Sequence, residues 1–163
     1  MTGIPADAYR SVAAALPGGV AVVAVRWRRT DHAMTVSSIA SVSLDPPLVL
    51  FCVHGDARVR DALDDIDHWA LNVLGASQAP VADWLASPGR PAFEQLVRVP
   101  HRPAPVSGAA WLDGAAAWFD CRTEEIHSAG DHDIVVGRVL AAERGDAGAG
   151  ALVHLDGRVR PIG

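Results

Sequence analysis

The chain has 163 residues, half of them hydrophobic, and a formal charge of −5. That is enough for one well-cored domain over residues 1–163 and too little for two. All 14 basic residues are scattered arginines, so the electrostatic footprint of nucleic-acid binding is missing, and the absence of lysine excludes Walker-type phosphate loops, Schiff-base enzymes and Ser-Lys nucleophile pairs. Met1 to Leu16 has no charged start followed by an apolar core, and no run reaches the ~18 apolar residues of a membrane span. A soluble, cytoplasmic protein with no membrane or nucleic-acid partner is expected.

In chain order, Pro5 opens a short amphipathic helix with Tyr9, Val12, Ala13 and Leu16 on one face, stopped by Pro17-Gly18-Gly19. Val20 to Trp27 is a β-rich run, closed by a polar turn over Arg28–His32 that leads a hairpin into the next strand. Ala33 to Leu44 and Leu48 to Val53 form two further strands around the Asp45-Pro46-Pro47 turn. A helical turn or two follows over Ala57–Leu63, then a strand over Trp69–Leu74. A helix capped by Ser77-Gln78-Ala79-Pro80 runs to Leu85 and is broken by Ser87–Pro91. Val97–Ser107 reads as an irregular loop, and Ala109–Leu112, Ala115–Glu124, Asp133–Ala142 and Ala151–Leu155 as closing strands. Many short strands with few helices indicate a mainly β, barrel-like architecture rather than alternating βαβ units.

Cys52 and Cys121 sit in apolar strand-like runs, as buried free thiols do, and neither is given a redox role. Two segments can carry chemistry. From Thr35 to Ser43, five hydroxyls crowd into nine residues, which makes either a half-buried strand with a polar face or a row of donors for carbonyl and phosphate oxygens of a cofactor. The stretch His127-Ser128-Ala129-Gly130-Asp131-His132-Asp133 is either a solvated turn or one that aims an imidazole at a ligand. Its two histidines and two aspartates lack the other ligands of a metal centre, so no metal is assigned. Gly145, Gly148 and Gly150 do not follow the dinucleotide-binding glycine order.

Pro17-Gly18-Gly19-Val20-Ala21-Val22-Val23, the segment from Met34 to Pro47, Asn72-Val73-Leu74 with Gln78, and Gly130-Asp131-His132 with Val136-Gly137-Arg138-Val139 together resemble the short-chain flavin reductase family over nearly the whole chain. The resemblance implies a homodimeric split β-barrel of Greek-key type that uses NADH or NADPH to reduce FMN or FAD. It also implies a separate oxygenase component that receives the reduced flavin. By the same resemblance, Thr35, Val36, Ser37, Ser38 and Ser41 line the isoalloxazine and ribityl part of the site and Gln78 lies nearby. Gly130, Asp131 and catalytic His132 position the nicotinamide, and His154 borders the pocket. Two positions depart from the family pattern. Gly18 stands where the family commonly has Thr, and Ala57-Arg58-Val59 stands where it has Ser or Thr hydroxyls for the flavin phosphate. Arg58 can substitute as a bidentate phosphate donor, in competition with Asp56 and Asp61.

Hydride transfer between stacked rings needs geometry and donors more than an acid or a nucleophile, which agrees with a site rich in small hydroxyls. Two other readings stay open: a split-barrel flavoprotein with its own small-molecule substrate, and a non-catalytic dimeric barrel that acts as a binding module. Five tryptophans exceed what one small core readily encloses, a further pointer to a homodimer.

Overall fold

The computed structural model describes residues 3–91 and 93–163; Met1, Thr2 and Ala92, which the single-domain reading included, lie outside the described residues. Helix α1 (Ala6–Ala13) follows Pro5, and none of its residues is buried. After the two-residue strand β1 (Gly18–Gly19), strand β2 (Ala21–Trp27) is buried from Ala21 to Val25 on both of its faces, which is why its sequence is continuously apolar instead of alternating. Strand β3 (Thr30–Val36) pairs with it from Ala21↔Val36 to Trp27↔Thr30.

The expected five-residue turn is corrected to two. Arg28 and Arg29, at φ 50° and 66°, make the whole connection, and Thr30, Asp31 and His32 are strand. Left-handed backbone at both central residues matches the twist of the flanking strands, so a two-residue loop suffices.

Strands β4 (Ile39–Leu44) and β5 (Pro47–His54) form the next hairpin, followed by helix α2 (Arg58–Asp65), strand β6 (His68–Val73) and helix α3 (Ala79–Ala86). The Val97–Ser107 segment is not wholly irregular, because its strand β7 (His101–Pro103) pairs with β8 (Ala110–Leu112). Strands β9 (Ala117–Ala129) and β10 (His132–Arg144) are each 13 residues long and outrun the expected strands, since backbone pairing continues to Ala129↔His132 although both faces there are polar. β11 (Ala151–Leu155) and β12 (Arg158–Ile162), the latter unexpected, build a small sheet with β1.

Seven strands form one antiparallel sheet in the order β3-β2-β6-β9-β10-β5-β4. Its two edge strands are consecutive in sequence, and only Ser37 and Ser38 separate them. Three peptide steps reach roughly 10–11 Å at most, so the sheet curls and brings one end of each edge strand together at this dipeptide. Inside the curl Phe51 packs edge-on against Trp69, ring centres 4.9 Å apart, among Val23, Val25, Val53, Leu71 and Val135. On the outer face of β2, Val22 and Ala24 pack with Leu85, Leu96 and Leu112 beneath α3. Among the described residues no helix is long and apolar enough to cross a membrane.

Candidate active site

The curling of the sheet places the hydroxyl-rich segment at the seam between its edges. Ser37 is half-buried, Ser38 and Ser41 are exposed, and among the described residues none of their hydroxyls makes a hydrogen bond within the fold. The Ser38 carbonyl accepts from Cys52 N at 3.0 Å, which fixes the backbone while the side chain stays free. Strand β1 lies against the seam. A Cβ on Gly18 would stand 2.6 Å from the Ser37 carbonyl oxygen, so this backbone approach needs glycine where the resembling family carries Thr. In the β1–β11 ladder the half-buried His154 stands opposite Gly18, beside the seam.

Two residues beyond Cys52, His54 ends β5 and pairs with His132 at the start of β10; their rings meet edge to face at 5.2 Å. The turn between β9 and β10 is Gly130-Asp131, with Gly130 at φ 75°. The Asp131 carboxylate accepts from His132 Nδ1 at 2.7 Å, so in the neutral imidazole Nε2 is left as the acceptor. The same bond holds the Asp131 carboxyl below its usual range. Both histidines are exposed on the rim.

From His54 the chain turns through Ala57 into α2, whose first residue, Arg58, lines a cleft of about 260 Å³. His32 and Met34 of β3 form one wall, and Gly89, Arg90 and Gln95 the other. Arg90 donates from Nη2 to the Ala33 carbonyl (2.9 Å) and from Nη1 to the Ser87 carbonyl (3.2 Å), while its buried Nε has no partner among the described residues. His32 is 3 % exposed, and its Nδ1 is also buried without a partner. Burial first, then the positive charge of Arg58, keeps the His32 imidazole below its ordinary pKa and hence neutral, whereas Asp31 pulls the other way. Two guanidinium groups, an orphaned Nε–H donor and a neutral imidazole, with no carboxylate lining the cleft among the described residues, form a receptor for an anion.

Three expected site residues are used by the fold itself. The Thr35 hydroxyl points to the other side of β3 and donates to the Ala82 carbonyl of α3 at 2.7 Å. Val36, 5 % exposed, is part of the core and can offer a ligand only its backbone. Gln78 is buried, its Oε1 accepting from Gly75 N (2.9 Å) and its Nε2 donating to the Asp113 carbonyl (3.0 Å). Asn72 is likewise a joint, with Nδ2 donating to the Val22 and Ala110 carbonyls and Oδ1 accepting from Leu112 N. Neither cysteine is in a disulfide, and burial pushes the thiol of Cys121 far up, as it does less strongly for Cys52. His32 and Arg90 were missed, since one reads as turn and the other as part of a Pro/Gly break until the fold joins them.

Comparison with known proteins gives the family. The flavin reductase like domain matches residues 13–163. The chain belongs to that family. A relative from Streptomyces nodosus subsp. asukaensis, the NADH-dependent FMN reductase AsuE2, is 38% identical over 150 residues, 90% of this chain and 79% of the relative. The NADH-dependent FAD reductase of Streptomyces globisporus is 38% identical over 144 residues, 88% of this chain and 79% of the relative. BorF, the flavin reductase component of a bacterial two-component tryptophan halogenase, superposes with a TM-score of 0.90 at 38% identity, covering 97% of this chain and 98% of BorF. A flavin reductase must hold a planar ring with many acceptors and at least one phosphate. The residues present fit both needs, with free hydroxyls at the seam and orphaned donors in the adjoining cationic cleft.

Proposed function

We propose that this flavin reductase oxidises NADH or NADPH, reduces FMN or FAD, and passes the reduced flavin to a separate oxygenase component, working as a cytoplasmic homodimeric split barrel. The observation that carries the reading is that β3 leads from a cleft holding two arginines to a seam whose serine hydroxyls make no hydrogen bond within the fold among the described residues. Ser37, Ser38 and Ser41 hydroxyls, with the backbone of Val36, bind the ring and ribityl oxygens. Arg58 and Arg90 bind the phosphate by charge-assisted hydrogen bonds, in place of the hydroxyls that the family pattern offers.

His132 orients the nicotinamide from the rim through Nε2, with Asp131 fixing its ring. His154 borders the seam opposite Gly18. Bound flavin supplies the chemistry, acceptance of a hydride equivalent; the chain supplies alignment and donors that favour negative charge on the reduced ring. The relatives' dependence on NADH and the halogenase context of BorF support the donor and the two-component arrangement. Anaerobic titration with NADH in the presence of excess FMN or FAD tests the reading: the oxidised-flavin absorbance should bleach by one flavin per NADH. Absence of bleaching with both flavins overturns it.

A further inference from the structure

A second hollow, about 610 Å³, adjoins the cationic cleft. The two share Gln95, and β3 runs from one to the other across the Asp31–His32 peptide. The cleft alone is smaller than the ~300–1,000 Å³ of a usual small-molecule site, whereas the hollow falls inside that range.

Strain is concentrated on its walls. Of four non-glycine residues with left-handed backbone among the described residues, Arg28, Arg29, Glu94 and Asp156, two line this hollow: Arg29 at φ 66° and Glu94 at φ 59°. The conformation of Arg28 is compensated locally, because its guanidinium lies 4.3 Å from the centre of the Trp27 ring and pairs with Asp65 at 3.2 Å. Arg29 has no such compensation among the described residues: it makes neither an ion pair nor a side-chain hydrogen bond. Asparagine or glycine would occupy its place in the turn at lower cost. The two-residue hairpin loop requires this backbone, and it holds the unpaired Arg29 side chain at the wall of the hollow.

The donors and acceptors around the hollow have a definite chemistry. Arg98 is a second arginine without an acidic partner among the described residues, so the hollow offers two free guanidinium groups against one uncompensated acid, Glu94. Asp31 pairs with Arg26 at 3.5 Å through Oδ2, and its side chain stays partly exposed at the wall of the hollow. His101 Nδ1 bonds the Val99 carbonyl at 2.7 Å and therefore carries the proton, leaving Nε2 as an acceptor. Cations for a phosphate, the partly exposed Asp31 carboxylate for hydroxyl donors and an imidazole acceptor for an amine together describe a nucleotide.

We infer that this hollow receives an adenosine 5′-phosphate group, with Arg29 and Arg98 on the phosphate and Asp31 on the ribose hydroxyls. The inference rests on the flavin reductase reading, which provides two carriers of that group, FAD and NADH.

Dissociation constants for FAD and FMN, the KM for NADH and thermal melts, measured on the wild-type protein and on Arg29→Gly and Arg98→Ser, test it. FMN binding should stay within about twofold in both variants. Either FAD binding or the KM for NADH should worsen about tenfold, and the one that moves identifies the carrier. AMP should displace that same carrier from the wild-type protein and leave bound FMN in place. Arg29→Gly should also melt about 2–4 °C higher, because glycine adopts φ 66° without strain. FAD and NADH constants that stay unchanged while flavin is still reduced, or an equal loss of FMN binding, overturn the inference. A wild-type protein that reduces no flavin overturns the underlying reading instead.

Discussion

At the scale of single residues, the two kinds of hydroxyl in the Thr35–Ser43 segment separate by what they touch. Thr35 holds β3 to α3 through the Ala82 carbonyl, so Thr35→Val should lower stability by about 1 kcal/mol through loss of that bond, with flavin affinity unchanged. Ser37→Ala and Ser38→Ala should do the reverse, each weakening flavin binding by about 1 kcal/mol, roughly fivefold, with the same melting temperature. Paired melts and fluorescence titrations read both effects, and equal flavin affinity in both serine variants would move the ring away from the seam. His132 gives a sharper case, since its ring is exposed, oriented by Asp131 and in contact only with the rim. His132→Ala should raise the KM for NADH and lower kcat/KM by roughly tenfold to a hundredfold, about 1.4–2.7 kcal/mol, without releasing flavin or lowering the melting temperature. Full activity in that variant would reduce His132 to a turn residue.

At the scale of elements, the position of the cleft depends on how α2 and β10 are fastened to the sheet. Arg60 of α2 bonds Asp133 at the start of β10 and Asp64 one turn along its own helix. The Arg60 bond holds the Asp133 carboxyl below its usual range. A carboxyl so depressed adds stability in full above its unfolded value of about 4 and loses it as pH falls through the folded value. Asp133→Asn should therefore melt below the wild type at pH 7, with the gap closing under about pH 4. A gap independent of pH would mean that the pair is not what fastens the helix. Further along β10, Gly137 is required by packing. A Cβ there would stand 2.2 Å from Cζ2 of Trp69, the largest residue of the core. Gly137→Ala should cost about 1–3 kcal/mol in denaturant unfolding, the usual scale of overpacking, because an indole locked against Phe51 cannot withdraw.

At the scale of the whole molecule, the strands were legible because apolar runs such as Val20–Trp27 and Leu48–Val53 record burial directly, and the hydroxyl segment and Gly-Asp-His turn carried enough pattern to suggest a family. The cleft was not legible. His32, Arg58 and Arg90 become neighbours only when the sheet curls and the break after α3 folds back, and no local spacing encodes that approach. The tryptophan count misled in part, since Trp69 and Trp111 are wholly enclosed within one chain and only Trp84 is exposed. The stronger argument for a dimer is α1. It has eight residues, none buried, and Ile4, Tyr9, Val12 and Leu16 in and around it are each more than 60 % exposed. A helix of that length is not stable alone in water, so its apolar side needs a cover. A twofold arrangement in which two copies cover each other is the simplest closed solution. Light scattering at micromolar concentration should then give twice 17.1 kDa for the wild type. Val12→Asp with Leu16→Asp should give a single chain mass with an intact β-sheet spectrum, whereas a wild-type protein that elutes as a monomer rules out this use of the helix.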